Sequence, residues 1–393
     1  MAVAQKLIRG VTGMPMIGQV FNGGVWAGSS AGEAVTNERA VALPAVFKAI
    51  RIISETGGAL PLVTYRTDGD ERERDEDHPT FQLLHEEPNP ELSAVEFWTL
   101  ALAHLTGWGA VFLGKEFRGG TVVALHPIHP ELMTVERLAS GALIFRESRF
   151  DGGERVWTRK QMLYVRLFTV DGVTGLSPIG LQRETMGLAI AMRKHGSHFF
   201  RDAAIPAGAL TVEGEVKDPA TRERIKQEWR DSHKGKRDIA LLDAGAKFET
   251  ISIPLKDAEF VELWNATKAD IADTFNMPYS LLGAPTGDTF TYGNREADMQ
   301  QFLTFTLHNP LKKVEQALTR DRDLFPRTGV RRAYLAEFLR EDLLQPDSKA
   351  RSVFYRMALD PKAGWMTRSE VRRRENLPQE SQTEPTGPTP EEE

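Results

Sequence analysis

Three short stretches carry residue types that could do chemistry. Gly109-AVFL-Gly114-Lys115 has the spacing of a phosphate-binding loop. In such a loop the glycines expose backbone N–H groups to phosphate, and a Ser or Thr after the lysine ligates magnesium. Here Glu116 follows, and AVFL reads as strand core. Gly28-Ser-Ser30-Ala-Gly32 matches a nucleophile elbow. That motif needs a strand and a helix to force the serine into a sharp turn, and this stretch lies in Gly/Ser/Ala-rich sequence. His195 and His198 lie three apart on a predicted helix, as do His126 and His129 in HPIHP. Each pair offers two ligands where a closed zinc site takes four, so they read as surface or interface histidines. The chain has no cysteine, which excludes disulfides, thiol catalysis and Cys-ligated zinc. These patterns give no catalytic centre and call for no metal or cofactor. One stretch stays open: GAPTGDTFTYGN, 283–294, could hold a phosphate, build an active site or touch something large.

Elements must position these residues, and the chain of 393 residues is long enough for two or three domain-sized units. No apolar run approaches the roughly 20 residues a membrane helix needs. The N-terminus lacks the pattern of a signal peptide. Formal net charge is −6, and the last fifteen residues hold five acids and no bases. The rest is nearly neutral, which argues against a broad basic surface for nucleic acid. Residues 1–36 read as a flexible arm and 379–393 as a disordered acidic tail.

Residues 37–170 read as an α+β domain. Val46, Ile50 and Ile53 recur at helical spacing, and Gly57-Gly58 stops that helix. LPLVTY reads as a strand and TDGDERERDED as a charged turn. Ser93-Ala-Val-Glu96 is a capping box. AVFLGKEF, VVALHPI, LMTVE, LIFRE, RVWT and MLYVRL read as short strands. Ser177-Pro178 then opens a long helix to about Arg201. An α/β insert, 204–254, follows, with Ile225 and Trp229 one turn apart on a short helix. The next helix, 255–278, carries Phe260, Leu263, Trp264, Thr267, Ile271 and Phe275 on one stripe. After the open loop, Leu303, Leu307, Leu311, Val314 and Leu318 mark a helix of about 25 residues. Pro310 sits inside it and predicts a kink. Residues 333–378 end in a helical stretch with Arg368, Arg372, Arg373 and Arg374.

The order of these elements resembles the portal proteins of tailed bacteriophages, in the long-tailed subgroup with the common capsid fold. AVFKAIRIISETGGALPLVTY, HPTFQLLHEEPNPELSAVEFW, GLSPIGLQRETMGLAIAMRKHGSHFFRDAAIPAGAL, FNMPYSLLG and TYGNREADMQQFLTFTLHNPLKKVEQALTRDRDLF carry the likeness, which spans about 37–378.

The resemblance implies an α/β wing (37–176, with 295–332 as its kinked helix), a two-helix stem (177–203 and 255–278), a small α/β clip (204–254), a tunnel loop (279–294) and a wing/crown region (333–378) with a basic helical crown. It implies a ring, usually of twelve copies, at one capsid vertex of the virion, assembled in the host cytoplasm and not in a membrane. Double-stranded DNA would pass through the ring. The terminase large subunit and later the head-tail adaptor would dock at the clip, and the major capsid protein and scaffold would be further partners. Such a subunit is no enzyme and carries no cofactor. The loop would put Thr286, Asp288, Thr289, Phe290, Thr291 and Tyr292 at the DNA, in a channel that is not uniformly basic. The stem stripe would pack on its partner helix, with Gly187, Ala189 and Ala191 permitting close approach. Arg183, Arg193 and Lys194 would pair across subunits with Glu259, Glu262, Asp270 and Asp273. Where relatives commonly carry Ser, Gly293 would leave the helix after the loop with a weakened N-cap.

Overall fold

In the computed structural model the described residues are 28–68, 71–202, 257–283, 292–327, 333–340, 348–361 and 364–374, with short pieces between 203 and 256. The chain divides into two compact units, Met1–Glu337 and Phe338–Glu393.

The first unit opens with α1 (Asn37–Val41) and α2 (Pro44–Gly58). A hairpin follows, β1 (Leu62–Asp68) and β2 (Glu71–Arg74), and then α3 (Pro79–His85). Half of the expected charged turn is therefore strand. Cross-strand pairing holds it, with Arg66 on Glu73 at 3.0 Å. Helix α4 (Ala94–Trp108) starts at the capping box, where Ser93 and Glu96 satisfy each other's backbone N–H groups. Gly57 and Gly58 do more than end α2. A Cβ on Gly58 would meet the Thr99 backbone N at 2.5 Å and one on Gly57 the Leu102 side chain at 2.6 Å, so the glycines let α2 and α4 approach closely.

The strands that come next follow the sequence expectation closely or extend it. β3 (Ala110–Arg118) is the middle strand between β4 (Thr121–Ile128) and β8 (Met162–Arg166). β5 (Met133–Arg137), β6 (Leu143–Ser148) and β7 (Glu154–Thr158) make a second antiparallel sheet. Residues 110–115 of β3 are buried without alternation, because both faces of the strand are covered. On one face Gly114 leaves room for the Trp157 ring, which a Cβ would meet at 2.9 Å. Phe112, Phe145, Trp157 and Tyr164 centre this core, with Phe112 stacked on Tyr164 at 4.7 Å. The lookalike phosphate loop is thus a strand, as its sequence suggested.

Lys115, at the buried end of that run, is 1% exposed and holds both Asp321 (2.8 Å) and Asp323 (2.7 Å). This ion pair ties β3 to the turn after the long helix described below. The end of β8 leads to α5 (Pro178–Leu181), whose Ser177 N-cap bonds Gly107 O at 3.0 Å and Gly180 N at 3.3 Å. The expected single helix is two: α5 closes at Gln182, which leaves the helical region, and α6 (Arg183–Asp202) begins anew. In the insert, β9 (Ala209–Thr211) pairs antiparallel with β10 (Lys247–Glu249). Ile225 and Trp229 lie outside the described residues.

Helix α7 (Asp257–Thr274) packs against α6 and α2, and α8 (Tyr279–Leu282) follows. A continuous helical rod then runs as α9 (Tyr292–Gln301), a π-helical segment Phe302–Leu307, and α10 (His308–Arg320). β11 (Tyr334–Phe338), a strand the sequence reading missed, adds to the edge of β1. The second unit holds α11 (Ser348–Ala358) and α12 (Arg368–Arg374). A second capping box, Thr367 with Glu370, opens α12, and the rings of Phe354 and Trp365 meet edge to face at 5.9 Å.

Lys115→Ala should destabilise the first unit by about 3 kcal/mol, since it leaves two carboxylates gathered without their cation. Lys115→Met with Asp321→Asn and Asp323→Asn should recover part of that loss. Chemical denaturation of the two variants checks both values.

Candidate DNA-channel and assembly site

Helix α7 is apolar on one stripe, but only its C-terminal part is covered. Ile271 and Phe275 are buried, and Thr267 donates to Met192 Sδ of α6 at 3.7 Å. Trp264 is half-buried. Phe260 and Leu263 are 40% and 45% exposed, so the expected packing of these two inside the chain is not what the structure shows. The stripe simply outruns the surface that covers it. Ala189 of α6 is buried and Ala191 half-buried, whereas Gly187 makes room for another element, Ser29, whose Oγ a Cβ would meet at 2.1 Å.

Ser29 belongs to the stretch expected to be a flexible arm, and for residues 28–36 that expectation is corrected. Ser29 and Val35 are buried, and Ser30 N donates to Glu184 Oε2 at 2.8 Å. Glu33 bridges Arg39 (2.8 Å) and Lys194 (2.9 Å). These partners hold the Glu33 carboxyl below the ordinary glutamate range, Arg39 most strongly. The nucleophile-elbow lookalike is a turn packed on a helix. Of the proposed inter-subunit cations, Lys194 is engaged by Glu33, Arg193 donates to Ala42 O at 2.8 Å, and Arg183 lies 3.8 Å from Glu184. Asp273 accepts the Tyr279 hydroxyl at 2.9 Å, and this raises the tyrosine's pKa. Glu262 and Asp270 are exposed, and the Glu259 side chain lies outside the described residues.

The end of α7 is the most constrained point near the loop. Met277 N reaches back to Ala272 O at 2.8 Å and Asn276 N to Asp273 O at 3.0 Å, the two bonds of a Schellman cap. Asn276 takes the left-handed position with φ 51°, the sole non-glycine residue with positive φ among those described. Glycine is the usual choice there, but it has no side chain to offer. Asn276 Nδ2 donates to Phe305 O at 2.6 Å, and Thr306 Oγ1 donates back to Asn276 O.

That contact explains the rod. Proline has no N–H, and in an α-helix Pro310 would clash with the Thr306 carbonyl. The disturbance is taken up one turn earlier than the expected kink, as the π segment, where His308 N bonds Leu303 O five residues back. Asn276 reaches the same segment through its bond to the Phe305 carbonyl. Asn276 is not among the residues expected at the site. Its signal is an Asn directly after the last apolar stripe residue and two before Pro278, in FNMP.

The loop itself starts after Gly283, which ends α8 at φ 70°. Thr286, Asp288, Thr289, Phe290 and Thr291 lie outside the described residues, and Tyr292 begins α9. The expectation of a cap at Gly293 is corrected: the helix already starts one residue earlier, so Gly293 lies inside its first turn. In the second unit Arg368 is exposed and Arg372 half-buried; the Arg373 and Arg374 side chains are outside the described residues. Among the described residues there is no group of three or more His, Asp or Glu placed to hold a metal. No described helix is long and apolar enough to cross a membrane.

This arrangement of mixed sheets, paired helices and a π-broken rod has solved counterparts. A chain of a native gene transfer agent virion superposes with TM-score 0.65 at 22% identity, over 87% of this chain and 92% of that one. A chain from the neck of the native gene transfer agent particle, computed with C12 symmetry, gives 0.63 at 21% identity over 93% and 98%. An HK97-family phage portal protein from Corynebacterium diphtheriae gives 0.54 at 18% identity over 79% and 98%. The fold is shared with these chains, a phage portal protein among them. The sequence narrows this: residues 44–376 match the family described as phage portal protein, and the chain belongs to it. Relatives include the probable portal protein of Streptomyces phage phiC31, 28% identical over 91% of this chain and 79% of that protein. The portal protein of Enterobacteria phage HK97 is 26% identical over 88% and 81%.

Asn276→Gly keeps the left-handed cap and deletes only the side chain. It should speed amide exchange across 302–309 and cost about 0.5–1.5 kcal/mol, because the deleted bond is solvent-exposed. Unchanged exchange there would show that the π segment needs no such donor. Glu33 gives a pH dependence of definite sign. Its lowered folded pKa adds stability above the ordinary glutamate value and loses it as pH falls through the folded one. Exchange protection of 29–36 should therefore fall on acidification, and less steeply in Glu33→Gln.

Proposed function

We propose that this chain is the subunit of a closed ring that conducts double-stranded DNA through one vertex of a capsid, inward during packaging and outward at ejection. Membership of the phage portal protein family carries this reading. The C12 symmetry of the gene transfer agent neck supports twelve copies. The chain would act as a passive part, without turnover of its own, while the terminase large subunit drives DNA from the clip at 204–254 and the head-tail adaptor later takes the same place. Capsid protein and scaffold would meet the wing, 37–176.

In this reading α6 and α7 form the stem, and the exposed Phe260 and Leu263 find their cover on a neighbouring subunit. Exposed Glu262 and Asp270 remain available for pairing across that boundary. The tunnel loop, 279–294, would put Thr286, Asp288, Thr289, Phe290, Thr291 and Tyr292 at the DNA. Ahead of these residues Gly283 caps α8, and Asn276 clasps the rod that follows to the stem end.

Electron microscopy of the purified chain should show closed rings with an axial hole; a monomer with ATP turnover would overturn the proposal. Deleting 286–291 should leave rings intact and reduce packaged or retained DNA. Loss of ring assembly in that variant would remove the loop from the channel and place it in the subunit interface.

A further inference from the structure

A second charged feature lies away from the stem and the loop. An open cleft of about 700 Å³ runs between β8 with its flanking turns and the last turns of α10. Its two aspartates, Asp321 and Asp323, converge on Lys115, which leaves one uncompensated negative charge there. Against it stand six further cations: Arg159, Lys160, Arg166, Lys313, Arg320 and Arg322. Among the described residues none of the six has an acidic partner within ion-pair distance. Arg166 and Lys313 are half-buried and donate to the carbonyls of Gly172 and Leu167; the other four are exposed. Burial, and then the Arg166 charge beside it, holds Lys313 below the usual lysine range. Like charges crowded this way repel at close range, and an entering anion relieves the repulsion.

We propose that this cleft binds phosphoryl oxyanions. The apolar lining residues Met162, Leu163 and Val165 are themselves almost wholly buried. The exposed residues of the wall, Arg159, Lys160, Gln316, Arg320 and Arg322, are all polar, so it presents charge and guanidinium forks. Guanidinium groups match phosphate bidentately, and phosphate contacts need no further shape readout. The phosphate has two chemical sources, the phosphodiester backbone of DNA or a free polyphosphate. The site lies outside the channel loop, and the inference stands whether or not that loop touches DNA.

The test uses the full-length chain and two probes, a short DNA duplex and inorganic tripolyphosphate. The variant Arg159→Gln/Arg320→Gln/Arg322→Gln should weaken binding by about fivefold or more. It should also lower the salt slope by up to about three, one for each phosphate that is no longer neutralised. Binding of tripolyphosphate, alone or in competition with the duplex, assigns free polyphosphate as a source, and binding of duplex alone assigns the backbone. Single Arg159→Gln and Lys160→Gln variants, both at exposed positions, carry the test if the triple variant does not fold. The proposal fails if the wild-type chain binds neither probe, or if these variants weaken binding by less than that factor. It also fails if binding falls only in the chain lacking 286–291.

Discussion

The backbone of Gly109 lies against the backbone of Leu176, and the first unit is organised around that contact. Any Cβ at Gly109 would come within 2.0 Å of Leu176 O, and the residue's φ of 77° closes α4 in the left-handed region. Gly175 approaches from the other side, where its own Cβ would meet Gly109 O at 2.3 Å. Leu167 N donates to Gly109 O at 2.8 Å. Three paths cross here: the turn from α4 into β3, the end of β8, and the segment that leads to α5. Side-chain-free backbone allows them to share one point. Ser177 extends the junction to α1 by bonding Asn37 as well as Gly107. The passage from the first sheet into α5 and α6 runs through this crossing.

Sequence reading reached most of the first unit for physical reasons that lie in short windows. Strands β3 to β8 were visible because their apolar residues are bounded by turn glycines, and α4 because Ser93 and Glu96 form a local box. What it missed depends on partners distant in the chain. Glycines 57 and 58 look like a helix stop until Thr99 and Leu102 are beside them. Ser29 and Glu33 look like linker until α6 supplies Gly187 and Lys194. Tyr334–Phe338 is only five residues long and becomes a strand by adding to β1. Pro310 announced a disturbance correctly, but where the helix absorbs it is decided by Asn276, thirty-four positions earlier. The family likeness was legible because it rests on the order of segments, and order survives when individual contacts change.

Apparent motifs and actual function separate cleanly in this chain. The lysine of the phosphate-loop lookalike is buried in an ion cluster, and the serines of the elbow lookalike are packing and turn residues. The features that suit a conduit are of another kind: a helix whose apolar stripe outruns its cover, a cap that clasps the following rod, and a nearly neutral body. A conduit must hold its neighbours firmly and its cargo weakly, and these features divide in that sense.

The π segment has a consequence for direction. An α-helix advances about 100° per residue, and a π turn holds an additional residue per turn. Side chains beyond Leu307 therefore point where an unbroken helix would have aimed those of the preceding residue. The rod carries two angular settings on one axis. Behind the segment, Leu311, Val314 and Leu318 are aimed fully into the core; ahead of it, Met299 stands out to solvent. One residue's worth of rotation lets the same rod serve as core at one end and as the lead into a loop at the other.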